Sequence, residues 1–336
     1  TAVRNEFRHL IDIEQALAGE LANLKELPAE TRDGFRVRLH ANTGLLADMT
    51  PGLARGAEGI GLYRSEIPFL LRDSLPAEDE QVEVYRAVME AYAGLPVCMR
   101  TLATGGDKPL PYYPVVEENP ALGWRGVRFT LDHSVIFMTQ IRAMLRASAG
   151  QGPLRVMLPM VGAVHEVEAF HALLASALAQ LAEEGLVLAR PEVGVMVEVP
   201  ALIPLLPHLE GLIDFVSVGS NDLSQYLLAV DRNNARVARL YDHLHPAVLQ
   251  AVEEVVRHAR TLGVPVSVCG EMAADPCAAV GIVDRPAGAD VERGDRVDAH
   301  IGGFGRRRQA AAASDRRDDA VRGYAADAMV GVVGDE

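Results

Sequence analysis

The sequence predicts an α/β fold, a (β/α)8 barrel of the TIM type, and three observations carry that expectation. From residue 36 onwards β-type runs alternate with helical patterns, and seven such runs can be counted: RVRLHAN, GIGLYRSE, PVCMRTLAT, RVMLPMV, VGVMVEVP, FVSVGSND and PVSVCGEM. Strands that alternate with helices imply a parallel sheet with crossover connections. Their spread over roughly 250 residues matches the usual size of such a barrel, with an open doubly wound sheet as the alternative. Polar residues also collect at the C-terminal ends of these runs: Asn42, Arg64, Arg100, Glu198, Asn221 with Asp222, and Cys269. In a barrel those ends share one face, and active sites are built there.

Taken in order, residues 1–33 come first. The stretch FRHLIDIEQALAGELANLKEL repeats Leu, Ile and Ala at three- and four-residue spacing, which predicts an amphipathic linker helix ending at Pro28. Residues 34–279 carry the seven runs and form the expected barrel domain. Within it, DFVSVG is a β-branched strand pattern ending at a Gly, and SNDLSQYLLAV opens with cap-type residues and continues at helical spacing. Asn221 and Asp222 stand at this hand-over, either as a simple helix cap or as groups presented to a ligand. Residues 280–336 change character. Leucine, frequent before, does not recur after Leu262, and Ala, Arg, Asp and Gly supply 38 of the 56 residues from Gly281 to Glu336. Too few large apolar side chains remain there to offset the entropy of ordering the backbone. The composition is that of a GC-rich coding segment read in a shifted frame. The tail is therefore expected to be disordered or out of frame, and the barrel incomplete at its eighth strand, with open edges at RVRLHAN and PVSVCGEM.

Composition bounds the function. With 336 residues and 49% apolar content, the chain can bury a large core. No apolar run is long enough to span a membrane, and the charged N-terminus does not resemble a signal peptide, so a cytoplasmic protein with no membrane association is expected. Three cysteines without metal-ligand spacing fit a reducing compartment. The net charge of −14 argues against nucleic acid as a partner and provides no long-range attraction for an anion. Any phosphate site must be built locally.

Four arginines fit that requirement. Arg64, Arg100, Arg125 and Arg232 lie within GLYRSE, VCMRTLATGGDK, ALGWRGVR and LAVDRNN. Each supplies a planar fork suited to carboxylate or phosphate oxygens. One alone reads as a surface ion pair; four on one barrel face need a polyanion to offset their repulsion. Glu198 and Asp222 each place a carboxylate after an apolar strand. Two hard oxygen ligands, with water and substrate oxygens completing the shell, describe a Mg²⁺ site, the alternative being two unrelated caps. TGGDK reads as a flexible turn with a solvated Asp-Lys. Cys269 reads as a buried structural thiol or a proton donor, Cys98 and Cys277 as structural, and His245 as a pre-proline turn residue.

Together, GAEGIGLYRSEIPFL, RTLATGGDKPLPY, EENPALGWRGVRFTL, VMLPMV, GVMVEVPAL, VSVGSNDLSQYLLAVDRNN, LYDHLHPAVL and VCGEMAADP resemble the C-terminal domain of phosphoenolpyruvate-protein phosphotransferase, enzyme I of the phosphotransferase system, over roughly residues 1–279. EIPF and AVDRNN resemble its nitrogen-branch form. The resemblance implies a barrel that binds phosphoenolpyruvate and Mg²⁺ and passes the phosphoryl group to a histidine on a separate N-terminal domain, releasing pyruvate. It further implies a homodimer feeding an HPr-like phosphocarrier protein. By the same resemblance Glu198 and Asp222 hold Mg²⁺, and Arg64, Arg100 and Arg232 hold the phosphoryl group with Arg125 assisting. Asn221 positions substrate, and Cys269 protonates the enolate. The chain departs from the pattern at Ala103, where the family reads RTLD, and the GGxxSH signature of the histidine domain does not occur in it. A Mg²⁺-dependent lyase of the citrate-lyase and aldolase type, acting on pyruvate enolates, is the alternative activity, and a catalytically inactive remnant is the third reading.

Overall fold

A computed structural model describes Arg8, Ala29, Glu30, residues 36–106 and 108–275, Ala278 and residues 298–302. Apart from Arg8, Ala29 and Glu30, the predicted linker segment lies outside the described residues, as does the tail apart from residues 298–302. Seven parallel strands follow the seven predicted runs: β1 (Leu39–Thr43), β2 (Ile60–Arg64), β3 (Val97–Arg100), β4 (Leu154–Leu158), β5 (Glu192–Val197), β6 (Phe215–Gly219) and β7 (Val266–Cys269). Helices α1 (Met49–Ala54), α2 (Glu66–Leu70), α3 (Glu78–Ala91), α4 (Val127–Asp132), α5 (Ser134–Ser148), α6 (Val164–Glu183), α7 (Ser220–Leu228) and α8 (Pro246–Leu262) alternate with them, so the fold is the expected (β/α) barrel.

The eighth position departs from expectation. Instead of an open seam, β8 (Asp298–Gly302) lies between β7 and β1 and closes the ring. Ala299 to Gly302 pair with Leu39 to Asn42, and Asp298 to His300 pair with Ser267 to Cys269, all parallel. The physical reason is the one that makes open edges unstable. Two strands with unpaired N–H and C=O groups accept any segment whose backbone can extend between them, and backbone pairing does not require leucine. DAHIG has no strand-like alternation to announce it, so composition alone does not reveal it.

The helices cover the barrel because their apolar positions repeat at the helical period. In α6, Val167, Phe170, Leu174, Ala177 and Leu181 are buried at alternating three- and four-residue steps, which gives one apolar stripe facing the strands. Its entry is fixed by Glu166, whose Oε2 accepts from Gly162 N at 2.7 Å and Ala163 N at 2.9 Å. α8 starts at the predicted turn residue: His245 Nδ1 accepts from Ala247 N at 3.1 Å, and Pro246 occupies the first helical turn, where its missing N–H costs nothing. It ends at Gly263, whose φ of 67° is a left-handed conformation that glycine adopts without strain. Inside the ring, Leu62, Cys98, Met157, Met196, Phe215 and Cys269 form a separate buried cluster. A small cavity lies at the strands' N-terminal ends against His40, Ile60, Cys98, Arg155, Phe215 and Ser267, away from the polar rim. Among the described residues no helix is long and apolar enough to cross a membrane.

Candidate active site

The predicted polar residues arrive on one rim because the strands are parallel and in register. Arg64 and Arg100 end β2 and β3 as direct partners, and Gly219 at the end of β6 pairs with Cys269 at the end of β7. Glu198 follows β5 directly, and Asn221 and Asp222 lie in the first turn of α7.

Glu198 is buried at 3% exposure, and its Oε1 accepts from Met160 N at 2.7 Å. Met160 is a non-glycine residue with φ of 59°. Such a backbone costs of order 1–3 kcal/mol and persists where surrounding structure holds it; here it aims an N–H at a carboxylate. Burial, and then the negative charge of Asp222, push Glu198 up to about 7. Asp222 moves the other way: burial opposes its ionisation, but Arg125, Arg232, Lys108 and Arg100 outweigh it and hold the carboxyl below its usual range. Arg125 forks onto it, Nη1 to Oδ1 at 3.3 Å and Nη2 to Oδ2 at 3.4 Å, and Arg232 Nη1 reaches Oδ1 at 3.3 Å. Arg125 Nη1 also donates to Tyr226 OH at 3.1 Å, and that hydroxyl bonds Ala121 O.

The two carboxylates suit a divalent cation. A buried Glu whose ionisation is opposed by a neighbouring carboxylate is relieved by a positive charge near both. Among the described residues no group of three or more His, Cys, Asp and Glu could hold a metal. A cation here would thus take two protein carboxylates and fill its shell with water and substrate oxygens.

Without a divalent cation, the Glu198 carboxyl sets a pH dependence. Between about 4.5 and 7 the folded chain keeps a proton that the unfolded chain has released, so this group's contribution to stability falls as pH rises through that window. The upper bound is roughly 3 kcal/mol. His40, lowered to about 4 by burial and by Arg155 and Arg38, tilts the balance oppositely. The comparison must therefore be with Glu198→Gln. In chelator, wild type should lose melting temperature relative to that variant between pH 5 and pH 8; parallel curves would show that Glu198 ionises normally.

Arg100 is 7% exposed and paired with Glu66, and Lys108 Nζ reaches the same Glu66 oxygen at 2.7 Å. Buried Nε atoms of Arg64 and Arg100 find no acceptor among the described residues. A buried unpaired donor costs about 1–3 kcal/mol, which an anion seated here would relieve. Asn221 Oδ1 accepts from Glu271 N at 2.8 Å. That contact depends on Gly270, where φ is 101° and a Cβ would lie 2.3 Å from Ser220 Oγ and 2.7 Å from Asn221 Oδ1. Cys269 is 3% exposed; Ser217 Oγ approaches its Sγ at 3.7 Å, and Sγ approaches Val218 O at 3.4 Å. Burial pushes the thiol up to about 11, so it is protonated at neutral pH.

The structure thus brings all the predicted site residues to one rim. Four contributors escaped the sequence reading. Glu66 carried a weak signal, two residues after Arg64 at a strand-to-helix turn; Lys108 was legible only as a turn residue, and nothing marked Met160 or Tyr226.

The carboxylate pair, the clustered arginines and the buried thiol thus share the C-terminal rim of one barrel. The family described as PEP-utilising enzyme, PEP-binding domain, matches residues 18–284, and the chain belongs to that family. Within it, the chain is 47% identical over 277 residues to a Salmonella typhimurium protein named for the phosphoenolpyruvate-dependent phosphotransferase system, covering 82% of this chain and 37% of that protein. It is also 47% identical over 280 residues to a phosphoenolpyruvate-protein phosphotransferase of Cupriavidus necator, covering 82% of this chain and 47% of the relative. The chain therefore spans less than half the length of these relatives. A citrate lyase structure from Burkholderia xenovorans aligns over 79% of this chain and 73% of that one, at 15% identity and a TM-score of 0.49.

Proposed function

We propose that this chain is the barrel that binds phosphoenolpyruvate and Mg²⁺ in a phosphoenolpyruvate-protein phosphotransferase of the nitrogen branch. In this reading it acts in the cytoplasm as a homodimer and starts a relay through a phosphohistidine domain to a phosphocarrier protein. The observation that carries the reading is the rim itself: Arg100, whose charge acts on both Glu198 and Asp222, and its register partner Arg64 each hold a buried Nε with no acceptor among the described residues. That combination of anion-seeking and cation-seeking groups suits a substrate carrying phosphate and carboxylate together with a divalent ion.

When bound, Mg²⁺ would supply charge neutralisation at the substrate oxygens, held by Glu198 and Asp222. Arg64, Arg100 and Arg232 grip the phosphoryl group, Arg125 assists, and Asn221 offers its amide N–H groups to substrate. Such transfers depend on positioning and charge neutralisation more than on covalent help. The P–O bond of phosphoenolpyruvate breaks as an N–P bond forms on the incoming histidine, and the electron pair leaves as the pyruvate enolate. Cys269 gives its S–H proton to the enolate carbon, the product is pyruvate, and solvent restores the thiol. Calorimetric titration with phosphoenolpyruvate in Mg²⁺ and in chelator tests this. Binding is expected only with Mg²⁺, and equal affinity in chelator would overturn the metal assignment.

A further inference from the structure

We infer that Glu66 is a positioning residue for the phosphoryl group, holding Arg100 and Lys108 together as one cationic cradle. This rests on the phosphoenolpyruvate reading of the site. Glu66 opens α2 two residues after Arg64, and its side chain is fully buried. Both cations meet at one of its oxygens, Oε1: Arg100 through Nη2, and Lys108 through Nζ at 2.7 Å. The other oxygen, Oε2, is buried with no hydrogen-bond partner.

That arrangement is unlike an ion pair that merely stabilises the fold. A buried carboxylate kept for stability would have both oxygens satisfied. Here one oxygen carries two like charges from different parts of the chain. Arg100 ends β3, whereas Lys108 sits in the turn closed by Gly105 N to Lys108 O and Lys108 N to Gly105 O, each at 3.1 Å, and pinned by Thr104 Oγ1 to Lys108 O at 3.0 Å. Without Glu66 the two cations would repel each other, and the long lysine side chain would swing free. With it they converge next to Arg64, the register partner of Arg100. Arg100 has donors beyond the one given to Glu66, and the ammonium has two further N–H groups. A tetrahedral phosphoryl group needs such a convergent set, whereas the carboxylate and enolate of the substrate do not.

The test compares two ligands of the full chain in Mg²⁺ by calorimetry: phosphoenolpyruvate, and oxalate, a dianion that chelates the cation but has no phosphoryl group. Glu66→Ala should weaken phosphoenolpyruvate by about tenfold or more and leave oxalate within about twofold. Glu66→Gln keeps the shape but removes the charge that offsets the two cations and adds an amide donor beside them, so it should show the same selective loss of phosphoenolpyruvate as alanine. Glu66→Asp keeps the charge but lacks the reach to both cations, so it should show the same selective loss as alanine, and it serves where alanine does not fold. Equal weakening of both ligands in the Ala or Asp variant, no weakening of either, or a Gln variant that binds phosphoenolpyruvate as tightly as wild type would overturn the assignment. Failure of wild type to bind phosphoenolpyruvate would instead refute the functional reading on which it rests.

Discussion

Asp222→Ala is expected to lower Mg²⁺-dependent phosphoenolpyruvate affinity by about 100-fold or more, since outer partners of a metal site alone are worth about 10–100-fold and a direct ligand should exceed them. The structure adds a second consequence. Asp222 takes the fork of Arg125 and one N–H of Arg232, and its charge acts on Glu198. Its removal therefore releases two arginines while lifting the negative charge that opposes ionisation of Glu198. Affinity in chelator should then be unchanged or slightly raised, so the signature is loss of the Mg²⁺ dependence itself. Asp222→Asn, which keeps the shape and removes the charge, should behave similarly. Titration of both variants with and without chelator checks the point; an Ala variant that still binds more tightly in Mg²⁺ than in chelator would move the metal elsewhere.

Cys269→Ala is expected to separate binding from turnover. Phosphoenolpyruvate affinity should stay within about twofold while pyruvate formation falls by about 10²–10⁴, the usual worth of a positioned general acid. The burial that raises the thiol keeps it in the S–H form that has a proton to give and makes it a poor nucleophile. Because Cys269 also packs in the interior cluster with Met157 and Met196, a modest fall in melting temperature should accompany the substitution. The assay needs the phosphohistidine domain added in trans, since without an acceptor nothing turns over. Equal loss of binding and turnover would mark Cys269 as a packing residue.

Most of the site was legible because it lies at strand ends. β2 and β5 read as apolar runs terminated by Arg64 and Glu198, and a strand of hydrophobic residues that stops at a charge is informative without any tertiary knowledge. Glu66, Met160 and Lys108 were not legible as site residues for a different reason. Their roles depend on conformation: a backbone φ of 59° at Met160, or a single oxygen shared by two side chains 34 and 42 residues away. No periodicity encodes either. The eighth strand was missed for a third reason: its pairing is between backbones, and DAHIG lacks the β-branched alternation that betrays the other seven.

That short strand shapes the chain entropy of the whole ring. β1 meets β2 across a separation of 19 residues, Ala41 to Ile60, but meets β8 across 260, Leu39 to Ala299. Closure entropy grows with the logarithm of loop length, so the second joint costs about 2 kcal/mol more than the first. It is offset by only four registered pairs with β1 and three with β7. The barrel thus rests its longest-range contact on ladders no longer than the others, and Cys269, paired to His300 on the opposite side of the same strand, shares its fate.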